Sequence, residues 1–310
     1  MNYPKVFINT ASENWVVDRF IKEWNRYNYK QEKSYRGRKK IIWLIAPWTW
    51  EKIPRKYLER NKTLCTIHHI DENKFNNDEK NNFLERDNYV DYYHVISKST
   101  YSQVSKLTNK PIKIIPFWVN QNIWYEIENK DQIKKLYGIK MDSFLIGSFQ
   151  RDTEGSDLIS PKLSKGPDRF VEIVGDLKQL HPKIEVILTG KRRQFIINSL
   201  KKNNIEYKYF EMETFENLNK LYNILDLYIV SSRVEGGPQS ILECAQIKTP
   251  IISTDVGIAS DILSKESIFD MDNYSKAKPN IDHAFENVQK YLIPKGFNEF
   301  NLLMKEINES

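Results

Sequence analysis

The chain has 310 residues, 40% hydrophobic and 28% charged, which is ordinary for a folded protein with room for two domains. Two cysteines, Cys65 and Cys244, exclude a disulfide framework, and no apolar run is long enough for a bilayer-spanning helix. The first residues show no signal-peptide pattern, so we expect a cytoplasmic protein. The net charge of +6 suits an anionic ligand or membrane surface, so peripheral membrane contact stays an alternative.

Short apolar segments alternate with helical patterns along the chain. We predict strands at residues 6–9, 41–45, 63–68, 94–97, 112–116, 144–149, 184–189, 206–210, 227–230 and 251–253. We predict helices at residues 15–27, 100–107, 168–180, 193–203, 215–224 and 240–246. Such alternation predicts parallel sheets with crossover helices, and two blocks of it meet near residues 120–142.

The fold class that follows is α/β, with two Rossmann-like domains whose parallel sheets face each other across a cleft. All seven tryptophans lie within the first 124 residues, which supports a boundary there. We therefore expect domains at residues 1–125 and 126–310, with the last helix packing back on the first domain. The basic run at residues 30–40 is typical of a solvated loop, with membrane or acceptor binding as the alternative.

Polar and aromatic side chains follow the strands of the first domain, at the edge where open α/β sheets bind ligands. Ser12 lies in a hydroxyl-rich loop after the first strand, and Trp48 follows the second. An aromatic ring there could stack on a sugar, with plain loop packing as the alternative. His68 and His69 form an adjacent pair at the end of the third strand, which favours a functional role.

A loop-to-helix unit in the second domain carries two carboxylates, Glu235 and Glu243, eight positions apart. Between them Gly236 and Gly237 lead into Pro238, which suits a first helical turn. A helix amino terminus favours phosphate, and glycine lets a ligand approach the main chain closely. The two carboxylates would accept hydrogen bonds from two sets of hydroxyls. This pattern predicts a nucleotide-sugar site; the alternative is a strand–turn–helix corner with solvated glutamates.

Two cations lie near strand and helix ends in the same domain. Arg151 follows a predicted strand that contains Gly147, and Lys165 precedes another helix. An Arg fork and a Lys point charge can together grip a diphosphate. Gly190 and Lys191 end the next strand and would line the nucleotide. Either cation alone would be an ordinary surface charge.

The loop-to-helix unit that contains Glu235 and Glu243 resembles the E-x7-E signature of the retaining glycosyltransferases of family 4. The matching residues are Asp226, Ser232, Glu235, Gly236, Glu243 and Ala245, followed by Thr249-Pro250-Ile251-Ile252-Ser253-Thr254-Asp255-Val256-Gly257. Ser231 stands where the family has Pro, and Cys244 where it has Ala. The Arg151 and Lys165 region resembles the family's G-R-x4-K-G element with an insertion. His68 matches its T-x-H-D element, with His69 in place of Asp.

The resemblance implies the GT-B fold and transfer of a sugar from a nucleotide-diphosphate sugar, with retention and without a metal or other cofactor. A UDP-sugar is favoured as the commonest donor class, and the acceptor would be a hydroxyl of a glycan or lipid. Catalytic roles fall to Glu235, His68, Arg151 and Lys165. Donor-binding roles fall to Glu243, Gly236, Gly237, Gly147, Gly190, Lys191 and Ser240. Acceptor-side roles fall to His69, Ser12 and Trp48.

Other functions stay open as alternatives. A sugar-nucleotide epimerase or phosphorylase could use the same fold, although extra acid/base residues or a cofactor lysine are not apparent. A non-catalytic nucleotide-sugar-binding protein is the third reading, and the retained Glu235, Lys165 and His68 count against it. Asp270 and Asp272 fit the D-x-D pattern of metal-dependent enzymes, but we interpret them as a loop. Interspersed acids and bases argue against nucleic-acid binding.

Overall fold

The computed structural model describes residues 4–13, 16–28 and 32–310. The chain divides into two compact units. Unit 1 comprises Met1–Trp118 together with Ile293–Ser310, and unit 2 comprises Val119–Leu292. The division therefore falls before residue 125, and the last segment of the chain belongs to unit 1. Trp15 and Lys30, which were part of an expected helix and basic run, lie outside the described residues.

The secondary structure follows the chain in regular alternation. The strands are β1 (Val6–Ile8), β2 (Ile41–Leu44), β3 (Lys62–Ile67), β4 (Tyr92–Val95), β5 (Ile112–Ile114), β6 (Phe144–Ser148), β7 (Ile184–Thr189), β8 (Glu206–Phe210), β9 (Leu227–Val230), β10 (Ile251–Thr254) and β11 (Ile268–Phe269). The α-helices are α1 (Val16–Tyr27), α2 (Arg55–Leu58), α3 (Asn77–Asp87), α4 (Lys98–Val104), α5 (Lys130–Leu136), α6 (Pro167–Leu180), α7 (Gln194–Lys202), α8 (Phe215–Asn223), α9 (Gln239–Gln246), α10 (Ala259–Ile262), α11 (Ile281–Val288) and α12 (Asn298–Glu309).

Both sheets are parallel, which confirms the expected α/β class. Unit 1 has the strand order β1-β2-β3-β4-β5, and unit 2 has the order β11-β10-β9-β6-β7-β8. Every strand expected from the sequence is present, with each end within two residues of the expected position. The sequence missed helix α3, because Phe83 and Leu84 are its only apolar residues. It also missed β11, because two residues are too few for a period.

An aromatic cluster forms much of the core of unit 1, and the returning end of the chain contributes to it. Phe300 of α12 lies with its ring centroid 6.3 Å from Trp24 and 5.5 Å from Trp43. Phe297 lies 4.4 Å from Trp118 in the same measure. The rings bury a large apolar area, and their edge-to-face pairs add to it. These contacts fix α12 on the sheet of unit 1.

A buried hydrogen-bond chain crosses the same core. Trp43 Nε1 donates to Thr66 Oγ1 at 2.8 Å, and Thr66 Oγ1 lies 2.9 Å from His94 Nδ1. His94 Nε2 lies 2.7 Å from the carbonyl oxygen of Ile115, which can only accept. Nε2 therefore carries the proton, and the threonine hydroxyl donates to Nδ1. Burial lowers the pKa of His94 from 6.5 to about 3, so this ring stays neutral.

The neutral His94 makes stability depend on acidity. The unfolded chain protonates this imidazole below pH 6.5, whereas the folded chain does so only near pH 3. The unfolded state therefore binds more protons in that window, and stability falls as the pH falls. We expect His94 to account for a loss of about 2 kcal/mol in unfolding free energy between pH 7 and pH 5. Urea denaturation at the two pH values measures it.

The matched variant is His94→Asn, which removes the titrating ring. Its overall stability should be lower, since Thr66 and Ile115 lose their partner. Its change in unfolding free energy between pH 7 and pH 5 should be smaller than that of the parent protein by the contribution given above. An identical pH dependence in the two proteins would contradict the neutral, buried state of His94.

Candidate functional site

Lys165 and Glu235 meet at the carboxyl ends of the strands of unit 2. Lys165 ends a 3-10 turn before α6, and Glu235 lies in the loop between β9 and α9. Lys165 Nζ donates to Glu235 Oε1, and Ser232 Oγ donates to the same oxygen at 3.3 Å. The side chains are 19% and 10% exposed. The fold thus joins two predicted site residues that lie 70 positions apart.

A close main-chain approach sets the position of Lys165. Gly166 has φ +62°, and a Cβ there would lie 1.9 Å from the carbonyl oxygen of Ser231. Ser231 Oγ in turn donates to the carbonyl oxygen of Gly166 at 2.8 Å. Any larger residue at 166 would force the two loops apart. Ser231 thus makes a hydrogen bond that a proline at this position could not make.

Arg233 joins the same two loops through its side chain, a role that could not be predicted from its position in the sequence. Its guanidinium forms a bidentate ion pair with Asp168 at 2.6 and 2.8 Å and also donates to the carbonyl oxygen of Leu163 at 2.9 Å. The hydrogen bonds to Arg233 lower the pKa of Asp168 below its usual range. The main-chain amide of Arg233 also donates to the carbonyl oxygen of Ser164 at 2.8 Å. Arg233 therefore holds the loop that carries Glu235.

The two glycines lie at the entry to α9. The helix begins one residue after Pro238, which corrects the expectation that this proline occupies the first helical turn. Gly257, with φ +59°, packs against this entry, since a Cβ there would lie 2.5 Å from the carbonyl oxygen of Gly236. Such a Cβ would also lie 2.9 Å from the amide nitrogen of Gly237. Ser240 lies in the first turn of α9 and is partly buried.

Glu243 lies in the second turn of α9 and is only 6% exposed. Tyr222, at the end of α8, donates its hydroxyl proton to Glu243 Oε2 at 3.1 Å. The two carboxylates of the motif thus differ in setting. Glu235 lies in a loop and pairs with the Lys165 ammonium, whereas Glu243 lies in α9 and accepts a hydrogen bond from the Tyr222 hydroxyl.

The predicted glycines of the sheet have different surroundings. Gly147 lies inside β6, where a Cβ would lie 2.2 Å from Leu225 Cδ1, so packing accounts for it. Gly190 follows β7 with φ +88°, and its carbonyl oxygen accepts from the Tyr209 hydroxyl at 3.0 Å. Lys191, next in the chain, is exposed. The turn at Gly190 and Lys191 therefore lies at the carboxyl end of β7, and its role in lining a nucleotide stays a prediction.

A fully buried ion pair supports the turn that carries Arg151. Arg193 Nε donates to Asp152 Oδ2 at 3.0 Å, and both side chains are at most 1% exposed. Arg193 Nη1 also donates to the carbonyl oxygens of Ser148 and Thr189 at 2.6 and 2.8 Å. Arg151 is exposed, directly before Asp152. The sequence did not distinguish Arg193 from a surface arginine, because its partners come from distant strand ends.

Unit 1 places the rings of two predicted site residues, His68 and Trp48, close together. His68 follows β3 and its Nε2 lies 2.8 Å from the carbonyl oxygen of Ile45, so Nε2 carries the proton. Burial lowers the pKa of His68 to about 4, and the ring is neutral at neutral pH. The ring centroid of Trp48 lies 5.9 Å away, with this tryptophan 52% exposed. His69 is exposed beside them.

Ser12 lies apart from these rings in the sequence, in the loop after β1. It is exposed, with φ 56°, and its amide donates to Thr10 Oγ1 at 3.0 Å. Thr10 Oγ1 donates to Asp18 Oδ1 at 2.8 Å. The hydroxyls of this loop therefore contact the start of α1.

Residues 4–13, 16–28 and 32–310 contain neither a metal-ligand cluster nor a membrane-spanning helix. No three His, Cys, Asp or Glu side chains in this part of the chain group as metal ligands would. Asp270 and Asp272 follow β11 in a turn. None of the helices in the same residues combines the length and apolarity needed to cross a bilayer.

Known proteins resemble parts of this chain in sequence and the whole chain in fold. Residues 160–296 match the family model described as glycosyl transferases group 1, a range that includes both carboxylates of the motif. This match supports placing the chain in the broad group of glycosyltransferases. The O-antigen biosynthesis glycosyltransferase WclY of Escherichia coli is 23% identical over 165 residues, 52% of this chain and 43% of that protein. The match therefore spans less than half the length of this relative.

Solved structures extend the likeness to both units. Anabaena Alr3699/HepE, solved in complex with UDP and glucose, has a TM-score of 0.74 at 11% identity, covering 98% of this chain and 100% of that one. A glycosyltransferase from Rickettsia africae ESF-5 has a TM-score of 0.70 at 15% identity, covering 98% of both chains. The fold is GT-B. The family match and the two parallel-sheet units agree in this assignment.

The contact at Gly166 generates a prediction about stability. Gly166→Ala should lower the unfolding free energy by at least about 2 kcal/mol, because alanine resists positive φ and its Cβ would overlap Ser231. Gly175→Ala is the matched control, since nothing lies within 4 Å of a Cβ there in α6. That change should stabilise by about 1 kcal/mol through helix propensity. Chemical denaturation measures both, and equal effects would refute the close approach.

Proposed function

We propose that this protein is a glycosyltransferase that moves a sugar from a nucleotide-diphosphate sugar to a hydroxyl acceptor. The observation that carries the proposal is the meeting of Lys165 and Glu235 beside the glycine entry to α9. A cation, a carboxylate and a helix start in one place offer complementary groups to a diphosphate and a sugar. The matched range of the glycosyl transferase family includes all three.

The diphosphate would lie against Lys165 and the main chain of Gly236 and Gly237. The lysine ammonium has three N–H donors, and the described contacts use one of them on Glu235. The remaining donors can turn to phosphate oxygens, where negative charge grows as the glycosidic bond to the sugar breaks. Arg151 supplies a second cation from the neighbouring turn. With these fixed cations, we propose that the transfer needs no metal or other cofactor.

The two carboxylates would bind the two sugars of the donor. Glu235 would accept hydrogen bonds from hydroxyls of the transferred sugar, since it lies beside the phosphate-binding lysine. Glu243 would accept from the ribose hydroxyls of the nucleotide. Gly190 and Lys191 would line the nucleotide, and Ser240 would complete the first turn of α9 around it.

A UDP-sugar is the donor that the comparisons support best. HepE was solved in complex with UDP-glucose, and the pneumococcal O-GlcNAc transferase GtfA with UDP and GlcNAc. We infer a UDP-hexose for this chain, and retention of configuration because its motif resembles that of retaining family 4 enzymes. The glutamate spacing and Lys-Gly pair support this finer assignment.

The acceptor would be a glycan or a lipid-linked glycan. The name of WclY, an O-antigen biosynthesis enzyme, supports a glycan. In unit 1, the exposed face of Trp48 can stack on a sugar ring, while His69 and Ser12 offer polar groups. Neutral His68 can accept a hydrogen bond from a sugar hydroxyl through Nδ1, but its low pKa makes it a poor proton donor at neutral pH. A cytoplasmic location with peripheral membrane contact fits the charge of +6.

Nucleotide binding tests the donor proposal directly. The parent protein should show its largest thermal shift with UDP-sugars in a panel of UDP-, GDP- and ADP-sugars. Lys165→Met should weaken UDP binding about tenfold to a hundredfold, because it removes charge-assisted hydrogen bonds to phosphate. Lys183→Met is the control, since Lys183 pairs with Asp142 near the amino ends of β6 and β7, whereas Lys165 lies near the carboxyl ends of the strands. Isothermal titration calorimetry measures all three proteins.

Glu235→Gln separates sugar binding from nucleotide binding. The variant should bind UDP much as the parent does but hydrolyse or transfer from UDP-glucose at least about tenfold more slowly. A coupled assay of UDP release measures this rate. Water serves as the acceptor when no sugar acceptor is added. Unchanged UDP affinity in Lys165→Met, or full activity in Glu235→Gln, would refute the roles assigned to these residues.

A further inference from the structure

The second carboxylate of the motif has a partner that the motif does not include. Tyr222 Oη lies 3.1 Å from Glu243 Oε2, although the two residues are 21 positions apart. A hydroxyl facing a carboxylate must donate, so the direction of this hydrogen bond is fixed. Tyr222 comes from α8 and Glu243 from α9, so the bond joins two helices.

The phenol has little freedom to move. Tyr222 is 3% exposed, and its ring centroid lies 4.5 Å from Phe149, 5.2 Å from Tyr228 and 5.7 Å from Trp124. Thr249 Oγ1 donates to the carbonyl oxygen of Tyr222 at 2.9 Å, which fixes its main chain as well. Aromatic packing on several sides and a held main chain make the hydroxyl a rigid donor.

The hydroxyl also keeps its proton. Burial, followed by the neighbouring Tyr228 and the Glu243 carboxylate, raises the pKa of Tyr222 well above its usual range. The phenol therefore keeps its proton at neutral pH and can donate it in the hydrogen bond to Glu243. A carboxylate has about four acceptor positions, and the phenol occupies one of them at Oε2.

We propose that Tyr222 is a positioning residue that orients the Glu243 carboxylate toward the ribose hydroxyls of the donor nucleotide. This inference rests on the proposed function, because it assigns the ribose to Glu243. Tyr222 itself does not touch the nucleotide. Its effect on affinity passes through one carboxylate, so it should appear only with nucleotides that have the ribose hydroxyls.

A comparison of two ligands isolates this effect. UDP and 2′,3′-dideoxy-UDP differ only in the hydroxyls that Glu243 would bind. The parent protein should prefer UDP, and Tyr222→Phe should lower UDP affinity about tenfold while changing affinity for the dideoxy compound less than about twofold. The preference for UDP should therefore shrink by about the same factor. Isothermal titration calorimetry on one preparation gives both constants, so any loss of folded protein cancels from their ratio.

Tyr93→Phe is the matched control. Tyr93 is a buried tyrosine of unit 1 whose hydroxyl donates to Asp87 at 2.8 Å, so the change removes the same kind of bond elsewhere. Its preference for UDP over the dideoxy compound should equal that of the parent. A parent-like preference in Tyr222→Phe would overturn the proposal for Tyr222 alone.

Two further outcomes are distinguishable from that one. A parent protein that binds UDP and 2′,3′-dideoxy-UDP equally well would overturn the ribose assignment of Glu243 and, with it, the role of Tyr222. A parent protein that binds neither would overturn the UDP donor of the proposed function. Only a preference that exists in the parent, persists in Tyr93→Phe and collapses in Tyr222→Phe supports the inference.

Discussion

One main-chain contact sets the geometry on which the site depends. Gly166 and Ser231 approach so closely that no side chain fits between them, and this approach holds the loop before α6 against the loop after β9. Lys165 and Glu235 lie on either side of it and form their ion pair as a result. Arg233 and Asp168 close the same junction from the surface. A cation and a carboxylate are therefore held together before any ligand arrives, so under the proposed function little reorganisation would be needed to bind a diphosphate sugar.

The sequence predicted the frame of the molecule better than its internal contacts. Strands and crossover helices could be placed because buried parallel strands have short apolar runs, and the glutamates could be found because they lie in one ordered segment. Arg193 and Tyr222 could not be identified in this way. Arg193 contacts Ser148, 45 positions away, and Tyr222 contacts Glu243, 21 positions away. These pairings follow from the order of the strands in the sheet, which cannot be read from the sequence alone. Gly147 shows a contact that the sequence did not reveal, since it packs against Leu225, while its assignment to the donor site stays a prediction.

Histidines in unit 1 illustrate how environment decides chemistry. His68 and His94 each point Nε2 at a carbonyl oxygen, and burial lowers the pKa of both. Neither imidazole is positively charged at neutral pH, so neither can act as a general acid there. Their surroundings nevertheless differ. His94 lies within a closed hydrogen-bond chain inside the core, whereas His68 lies beside the exposed ring of Trp48 at the end of β3. One ring therefore stabilises the unit, and the other can contact a sugar.

A crystal structure with UDP tests the central claim most directly. The account predicts the pyrophosphate against the main chain of Gly236 and Gly237, with Lys165 Nζ within hydrogen-bonding distance of a phosphate oxygen. It also predicts the ribose hydroxyls at Glu243. An ordered UDP molecule bound anywhere else, or bound here with Lys165 still turned wholly to Glu235, would contradict it.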